Sequence, residues 1–308
     1  MEAVSENAHC RLPIEPDDLD LTHTLTPGQS FRWREDDLGR WTGVIGRHVV
    51  RMWREGPDTL YETFPEAPDE GTCALVNDYL RLDVDLRKLY ADFCAADEHI
   101  RGAIDRFKGL RVLRQDPDEM LLSYICTAAN SVPRIAASIE EMSRRYGEPI
   151  AEVDGRTYYS FPTAEALASV HPDELAGLCG LGFRGVNLNC VAQQVLDRPA
   201  GWAASLRHKS YEEAREELLR LRCVGCKIAD CVLLFSMDKD QAFPVDTHIR
   251  KVAVQYYLPE FKQKTLTPAV YQAIVDFFQG RFGRYAGWAQ EYLFYDDLLT
   301  HRPKEQIL

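Results

Sequence analysis

The hydrophobic pattern of the chain changes period near Pro65. From Leu19 to about Phe64 the segments LDLTHTL, QSFRWRE, RWTGVIG, HVVRMWR and TLYETF are short and rich in Thr, Val, Trp, Tyr and Phe. Pro-Gly, Asp-Asp-Leu-Gly and Gly-Pro turn signals part them, which predicts strands of an antiparallel sheet. Beyond Pro65, in CALVNDYLRL, LRKLYADF and IRGAIDRF, apolar residues recur three and four apart, the spacing of one helix face. Helices are expected from there onward. The fold class is therefore α+β: an N-terminal antiparallel sheet with helices over residues 1–110, then an all-α region over 111–308.

Capping chemistry marks several helix starts. Asp116, Pro117 and Glu119 supply an N-cap acceptor, a proline at the first helical position and an acid in the first turn, opening MLLSYICTAAN. Ser210 and Glu213 make a capping box for YEEAREELLRL. Gly147 is expected to stop a helix.

Charge and cysteine usage narrow the function. With 36 Lys and Arg against 48 Asp and Glu the formal charge is −12, which argues against coating nucleic acid through bulk positive charge but leaves room for a local grip on a few phosphates. No apolar run reaches the roughly 20 residues that span a bilayer, and MEAVSENAHC lacks the basic flank and apolar stretch of a signal peptide. A cytosolic protein with no membrane partner is expected. The nine cysteines are an odd count that fits reduced thiols. Cys223 and Cys226 form a C-x-x-C with Cys231 just beyond, but no Cys or His pair at ligand spacing follows, so no metal site is expected.

The segment richest in chemistry runs from Leu221 to Ala253. A helix ending at Leu221, a tight turn with Gly225 and a second helix from about Cys226 through Met237 make a helix-hairpin-helix unit over 221–227. Such a unit turns backbone N–H groups and a helix N-terminus outward, which suits a phosphate without net positive charge. Lys227 sits in the first turn of the second helix, where the helix dipole and burial both disfavour its charge. It is either a solvated surface lysine or a neutral amine able to form a Schiff base. Asp246 in PVDTH is an N-cap for the next helix, and a capped carboxylate can also stabilise a cationic sugar. His248 in the same turn is a phosphate contact, a proton carrier or a packed core histidine.

The hairpin with Lys227, followed by Asp246 nineteen residues later, resembles the helix-hairpin-helix DNA glycosylases that combine base excision with abasic-site lyase activity. TPGQSFRWR, LRQDPDEMLLSYIC, GLGFR, IADC, QAFPVDTHI and YAGWAQEYLF narrow the resemblance to the 8-oxoguanine DNA glycosylase branch, in the family's order across nearly the whole chain. The resemblance implies that Lys227 attacks the sugar C1′ and that Asp246 supports the reaction. It implies that the Gly28 carbonyl accepts the N7 hydrogen peculiar to 8-oxoguanine, that Gln290 reads the Watson–Crick edge, and that Phe294 and Cys231 sandwich the base, with His248 beside it. Without the family, Phe294 and Cys231 would be read as core. Asn130, Arg134, Phe183 and Arg184 match residues at the gap left by the flipped base, and Val224 and Gly225 the hairpin's DNA contact.

Four residues depart from the family pattern. Ala129 stands where an asparagine meets the opposite cytosine, Phe183 replaces a tyrosine wedge, and Arg222 and Cys223 replace the Pro-Gly that opens the hairpin. The implied protein is a monomer without a cofactor, acting on double-stranded DNA that contains an oxidised purine, in a nucleoid or a nucleus. The hairpin carbonyls suit a monovalent cation. Two rival readings are an alkyl-base glycosylase without lyase action, which needs no Lys227, and a non-catalytic DNA binder, which needs neither Lys227 nor Asp246. The iron–sulfur endonuclease branch would require cysteines after Cys231, and there are none.

Overall fold

The computed structural model describes residues 9–300 except Pro27. MEAVSENA, on which the expectation of no leader rests, and the proline of the expected Pro-Gly turn lie outside the described residues. The strands are β1 (Cys10–Arg11), β2 (Arg34–Glu35), β3 (Trp41–Ile45), β4 (His48–Glu55), β5 (Asp58–Phe64), β6 (Pro149–Val153) and β7 (Arg156–Tyr159). The helices are α1 (Leu21–Leu25), α2 (Glu70–Tyr79), α3 (Leu86–Ala96), α4 (Glu98–Arg106), α5 (Pro117–Ile125), α6 (Val132–Tyr146), α7 (Ala164–Ser169) and α8 (Pro172–Leu178). They continue with α9 (Phe183–Leu196), α10 (Trp202–Ser205), α11 (Tyr211–Leu219), α12 (Cys226–Ser236), α13 (Thr247–Val252), α14 (Pro268–Phe282) and α15 (Ala286–Thr300). None is long and apolar enough to cross a membrane.

An antiparallel sheet of order β1-β5-β4-β3-β2 forms the N-terminal part, as the strand-like segments predict. Period-two alternation places Val50 and Met52 of β4 on one face, packed with Trp41, Tyr61, Val76 and Tyr79, so α2 lies against that side. Val49 points the other way and packs with Val44 and Val153. Two segments depart from expectation. LDLTHTL contains the helix α1, because the Asp20 side chain accepts the His23 N–H at 2.8 Å and caps it. Within QSFRWRE only Arg34 and Glu35 pair as a strand, because Gln29 is engaged elsewhere through its side chain.

The helical part is not all-α. β6 and β7 form a hairpin between α6 and α7, which covers the outer face of the sheet through Val153 and joins it through Arg51, buried and paired with Glu62 at 3.2 Å and with Asp154. EVDGRTYY lacked the run of β-branched residues that marks a strand, since this hairpin borrows its apolar cover from the sheet. Asp116, with Glu119 N–H at 2.9 Å, and the Ser210–Glu213 box cap α5 and α11 as expected. Gly147 caps the C-terminus of α6, where a Cβ would stand 2.0 Å from the Ser160 carbonyl oxygen. The apolar faces of α3 and α4, N-terminal to residue 110, belong to the helical core rather than to that of the sheet.

A buried clasp fixes the Gly28 loop between the two cores. Gln29, 1% exposed, donates to the carbonyls of Thr24 at 2.9 Å and Arg111 at 2.8 Å and accepts the Leu113 N–H at 2.8 Å. Its own carbonyl accepts from the Gln115 side chain at 2.8 Å. Replacing Gln29 by Ala strands a buried N–H and two carbonyls, so thermal melting should register a loss of about 2–3 kcal/mol.

Candidate active site

A cavity of about 690 Å³ opens where the Gly28 loop meets the helical part. Its wall takes residues from the α5 C-terminus, the 127–131 loop, the α6 and α12 starts, the Pro244–His248 turn and one face of α15. Gly28 holds φ +88°, and a Cβ there would stand 3.1 Å from Val132 Cγ2, so glycine lets the backbone itself face the cavity. The Tyr124 hydroxyl donates to the Gly28 carbonyl at 3.3 Å.

Lys227 is the second residue of α12 and is partly buried, with Nζ 5.0 Å from the Tyr124 ring centre. Asp230, one turn further on, locks that helix in place. Its fully buried carboxylate accepts from Tyr211 Oη at 3.0 Å, Arg215 Nε at 2.8 Å and Tyr271 Oη at 2.6 Å, which ties α12 to α11 and α14. Asp246 is the N-cap of α13 and accepts the Ile249 N–H at 2.8 Å through Oδ1. It lines the same cavity as Lys227, so one carboxylate both caps α13 and faces the cavity.

On α15, Gln290 and Phe294 share a helical face and both line the cavity. Gln290 is 4% exposed and its Oε1 has no hydrogen-bond partner, an acceptor held ready for a ligand. The Phe294 ring meets His248 edge-on, with centroids 5.5 Å apart, and His248 Nδ1 lies 2.8 Å from Asp297 Oδ2. Cys231 is buried in the wall, and that burial pushes its thiol up to about 12, so it offers a neutral, polarisable surface. Gly225 and Asn130 also reach the wall, the Asn130 amide donating to the Cys126 carbonyl at 3.3 Å.

Four residues predicted to touch DNA lie outside the cavity. Arg134 is exposed on α6. Phe183 is 61% exposed at the start of α9, an aromatic in open solvent as a wedge requires. The Arg184 guanidinium is 4.5 Å from that ring and donates to the carbonyls of Ala128 at 2.5 Å and Ala129 at 2.6 Å, bracing the 127–131 loop. Val224 is buried in the helical core, so its side chain is packing, and its N–H donates to the Leu221 carbonyl at 3.3 Å. Among the described residues no group of three or more His, Cys, Asp or Glu could hold a metal ion.

Tyr124 and Glu291 are among the polar residues of the wall that sequence reasoning missed. Tyr124 belongs to SYIC, where a tyrosine looks like core. Glu291 interrupts the apolar run of YAGWAQEYLF, and that interruption was the available signal. Glu291 is 2% exposed, and its Oε1 has no hydrogen-bond partner. Burial, then the negative charge of Asp246, push its carboxyl up to about 8 against the pull of Lys227.

Residues 11–121 match the family model of the 8-oxoguanine DNA glycosylase N-terminal domain, and residues 122–275 that of the HhH-GPD superfamily of base excision DNA repair proteins. The N-glycosylase/DNA lyase OGG1 of Arabidopsis thaliana is 33% identical over 293 residues, 93% of this chain and 80% of the relative. The chain belongs to the 8-oxoguanine DNA glycosylase family. The N-glycosylase/DNA lyase of Saccharomyces cerevisiae is 28% identical over 92% of this chain and 85% of its own length. The Clostridium acetobutylicum 8-oxoguanine glycosylase/lyase, solved with double-stranded DNA containing cytosine opposite 8-oxoG, superposes with a TM-score of 0.83 at 29% identity, covering 93% and 94% of the two chains.

Against this glycosylase family the hairpin is built differently. The left-handed residue of the turn is Cys223, at φ +71°, while Gly225, expected to make the turn, holds φ −97° as the N-cap of α12. The Arg222 N–H donates to Gln194 Oε1 at 2.9 Å and Cys223 Sγ to Asn187 Oδ1 at 3.4 Å, so α9 holds the turn that a Pro-Gly would set by itself. A non-glycine residue in that region costs about 1–2 kcal/mol. Cys223→Gly should therefore raise stability by about 1 kcal/mol, read as a higher melting temperature, without weakening duplex DNA binding.

Proposed function

We propose that this glycosylase flips 8-oxoguanine out of duplex DNA, excises it through a Schiff base on Lys227 and nicks the abasic strand by β-elimination. The observation that carries the reading is that Lys227 and Asp246 line one cavity with Gly28, Gln290 and Phe294. A duplex hides C1′ and the base edge, so the nucleotide must leave the stack at a cost of a few kcal/mol. Phe183 fits the vacated space, with Arg184 beside it. The flipped base lies between Phe294 and Cys231, offers its N7 hydrogen to the Gly28 carbonyl alongside Tyr124, and meets the Gln290 amide with its Watson–Crick edge.

Breaking the glycosidic bond builds positive charge on the deoxyribose, and Asp246, fixed in direction by its cap, stabilises it. The Lys227 amine forms a bond to C1′ while the base leaves with the electron pair of the C1′–N9 bond. Loss of a C2′ proton from the resulting imine then expels the 3′-phosphate. The chemistry is carried by side chains of a single chain acting as a monomer, wherever the genome is held. The alkyl-base alternative leaves Lys227 without a task.

Borohydride should trap the protein covalently on DNA containing 8-oxoguanine, and Lys227→Gln should lose both trapping and excision. Asp246→Asn retains an N-cap acceptor, so the melting temperature should hold while single-turnover excision slows by about 10²-fold or more. Full activity in either variant would remove that residue from the reaction.

Ala129 concerns the opposite strand. It is exposed at φ +48°, a conformation asparagine tolerates better, and its methyl can neither donate nor accept a hydrogen bond. Ala129→Asn should widen the preference for 8-oxoguanine opposite cytosine over adenine by about one to two powers of ten, as one good polar base contact does. Excision rates opposite both bases measure it, and an unchanged ratio places residue 129 away from the partner base.

A further inference from the structure

We propose that Glu291 is the proton acceptor that turns the Lys227 ammonium into the nucleophilic amine. The inference rests on Lys227 being the nucleophile and adds a residue that reading does not use. Glu291 follows Gln290 on α15 and lines the same cavity wall as Lys227 and Asp246, yet it is 2% exposed with Oε1 unpartnered. A buried carboxyl oxygen with no donor is costly unless a proton or ligand reaches it. The charged and titratable groups facing it are Lys227 and Cys231 of α12, Asp246 at the α13 N-cap, Tyr124 of α5 and Tyr292 of its own helix. Lys227 is the one cation among them. Asp246 is committed to the α13 cap and to the sugar's developing charge, and a carboxylate that keeps its charge for that purpose cannot also hold the lysine proton.

The transfer balances within the cavity. One Nζ proton passes from the Lys227 ammonium to the Glu291 carboxylate, the N–H electron pair stays on nitrogen, and the products are a neutral amine and a neutral carboxylic acid. Burial of Glu291 favours two neutral groups over two charged ones, which makes the exchange more accessible there than in water. Glu291 acts through Lys227 and is a positioning residue rather than one that touches the sugar.

The pH profile tests it. With its carboxyl pushed up to about 8 by burial and by Asp246, Glu291 holds its own proton at lower pH and becomes able to accept one only as pH rises through that value. Single-turnover excision by the wild type should climb to about pH 8 and then level off. In Glu291→Gln, Lys227 must release its proton to water. The climb should therefore move at least about one unit upward, with the rate at pH 7 reduced by about 10- to 100-fold and recovering toward pH 10. Glu291→Ala should shift the same way, and both variants should melt no lower than the wild type above pH 8, where a buried charge has been removed. Equal midpoints in wild type and variants, or one reduction factor at every pH, would overturn the proposal. So would a variant whose only defect is weaker lesion binding. Wild-type trapping by borohydride is the control: its absence at every pH would sink the Lys227 reading itself, whereas trapping with coincident midpoints sinks Glu291 alone.

Discussion

The site depends on the Gln29 clasp. Its cavity is shared between two parts of the chain, and a backbone carbonyl can select a ligand only if its position is held against the opposite wall. Gln29 holds it by replacing a strand's ladder with its own side chain, satisfying Thr24, Arg111 and Leu113 in a buried place where each unmet group would be costly. Arg111 reinforces the seam. It is 1% exposed and donates to the carbonyls of Leu80, Asp18 and Val84 at 2.8 Å each, and to that of Arg81, fastening the crossing segment to the sheet side.

The same logic places Lys227. The N-terminus of α12 is held at the cavity with Lys227 because Asp230, three residues on, is bound by two tyrosines and an arginine of α11 and α14. A buried carboxylate so satisfied gives orientation more than stability, since its desolvation offsets much of its attraction to Arg215. Asp246 is directed by the α13 cap, and Gln290, Glu291 and Phe294 by a helix buried along most of its length. Lys227, Gln290 and Phe294 are thereby mounted on helices, and the irregular 127–131 loop of the wall is braced by Arg184.

Two of the four expected departures, in that loop and in the hairpin, fall at left-handed backbone positions. Ala129 and Cys223 adopt φ +48° and φ +71° without the asparagine or glycine such conformations favour. Neighbours hold them there: Arg184 accounts for the first, and Gln194 and Asn187 on α9 for the second.

By itself the sequence determined the α+β order, through the change of period near Pro65, and the helix starts, through local caps such as Asp116, Ser210 and Asp246. These are legible because propensity, periodicity and capping act over a few residues. The motif order also singled out Lys227, Asp246, Gly28, Gln290 and Phe294. Tertiary structure alone decided that α1 is a helix rather than a strand, that β6 and β7 cover the sheet, and that the Val224 side chain belongs to the core. It alone brought Glu291 into the cavity wall that Lys227 also lines. Apart from α1, whose Asp20 cap is local, these depend on contacts between residues far apart in the chain, where burial and long-range charge set the outcome.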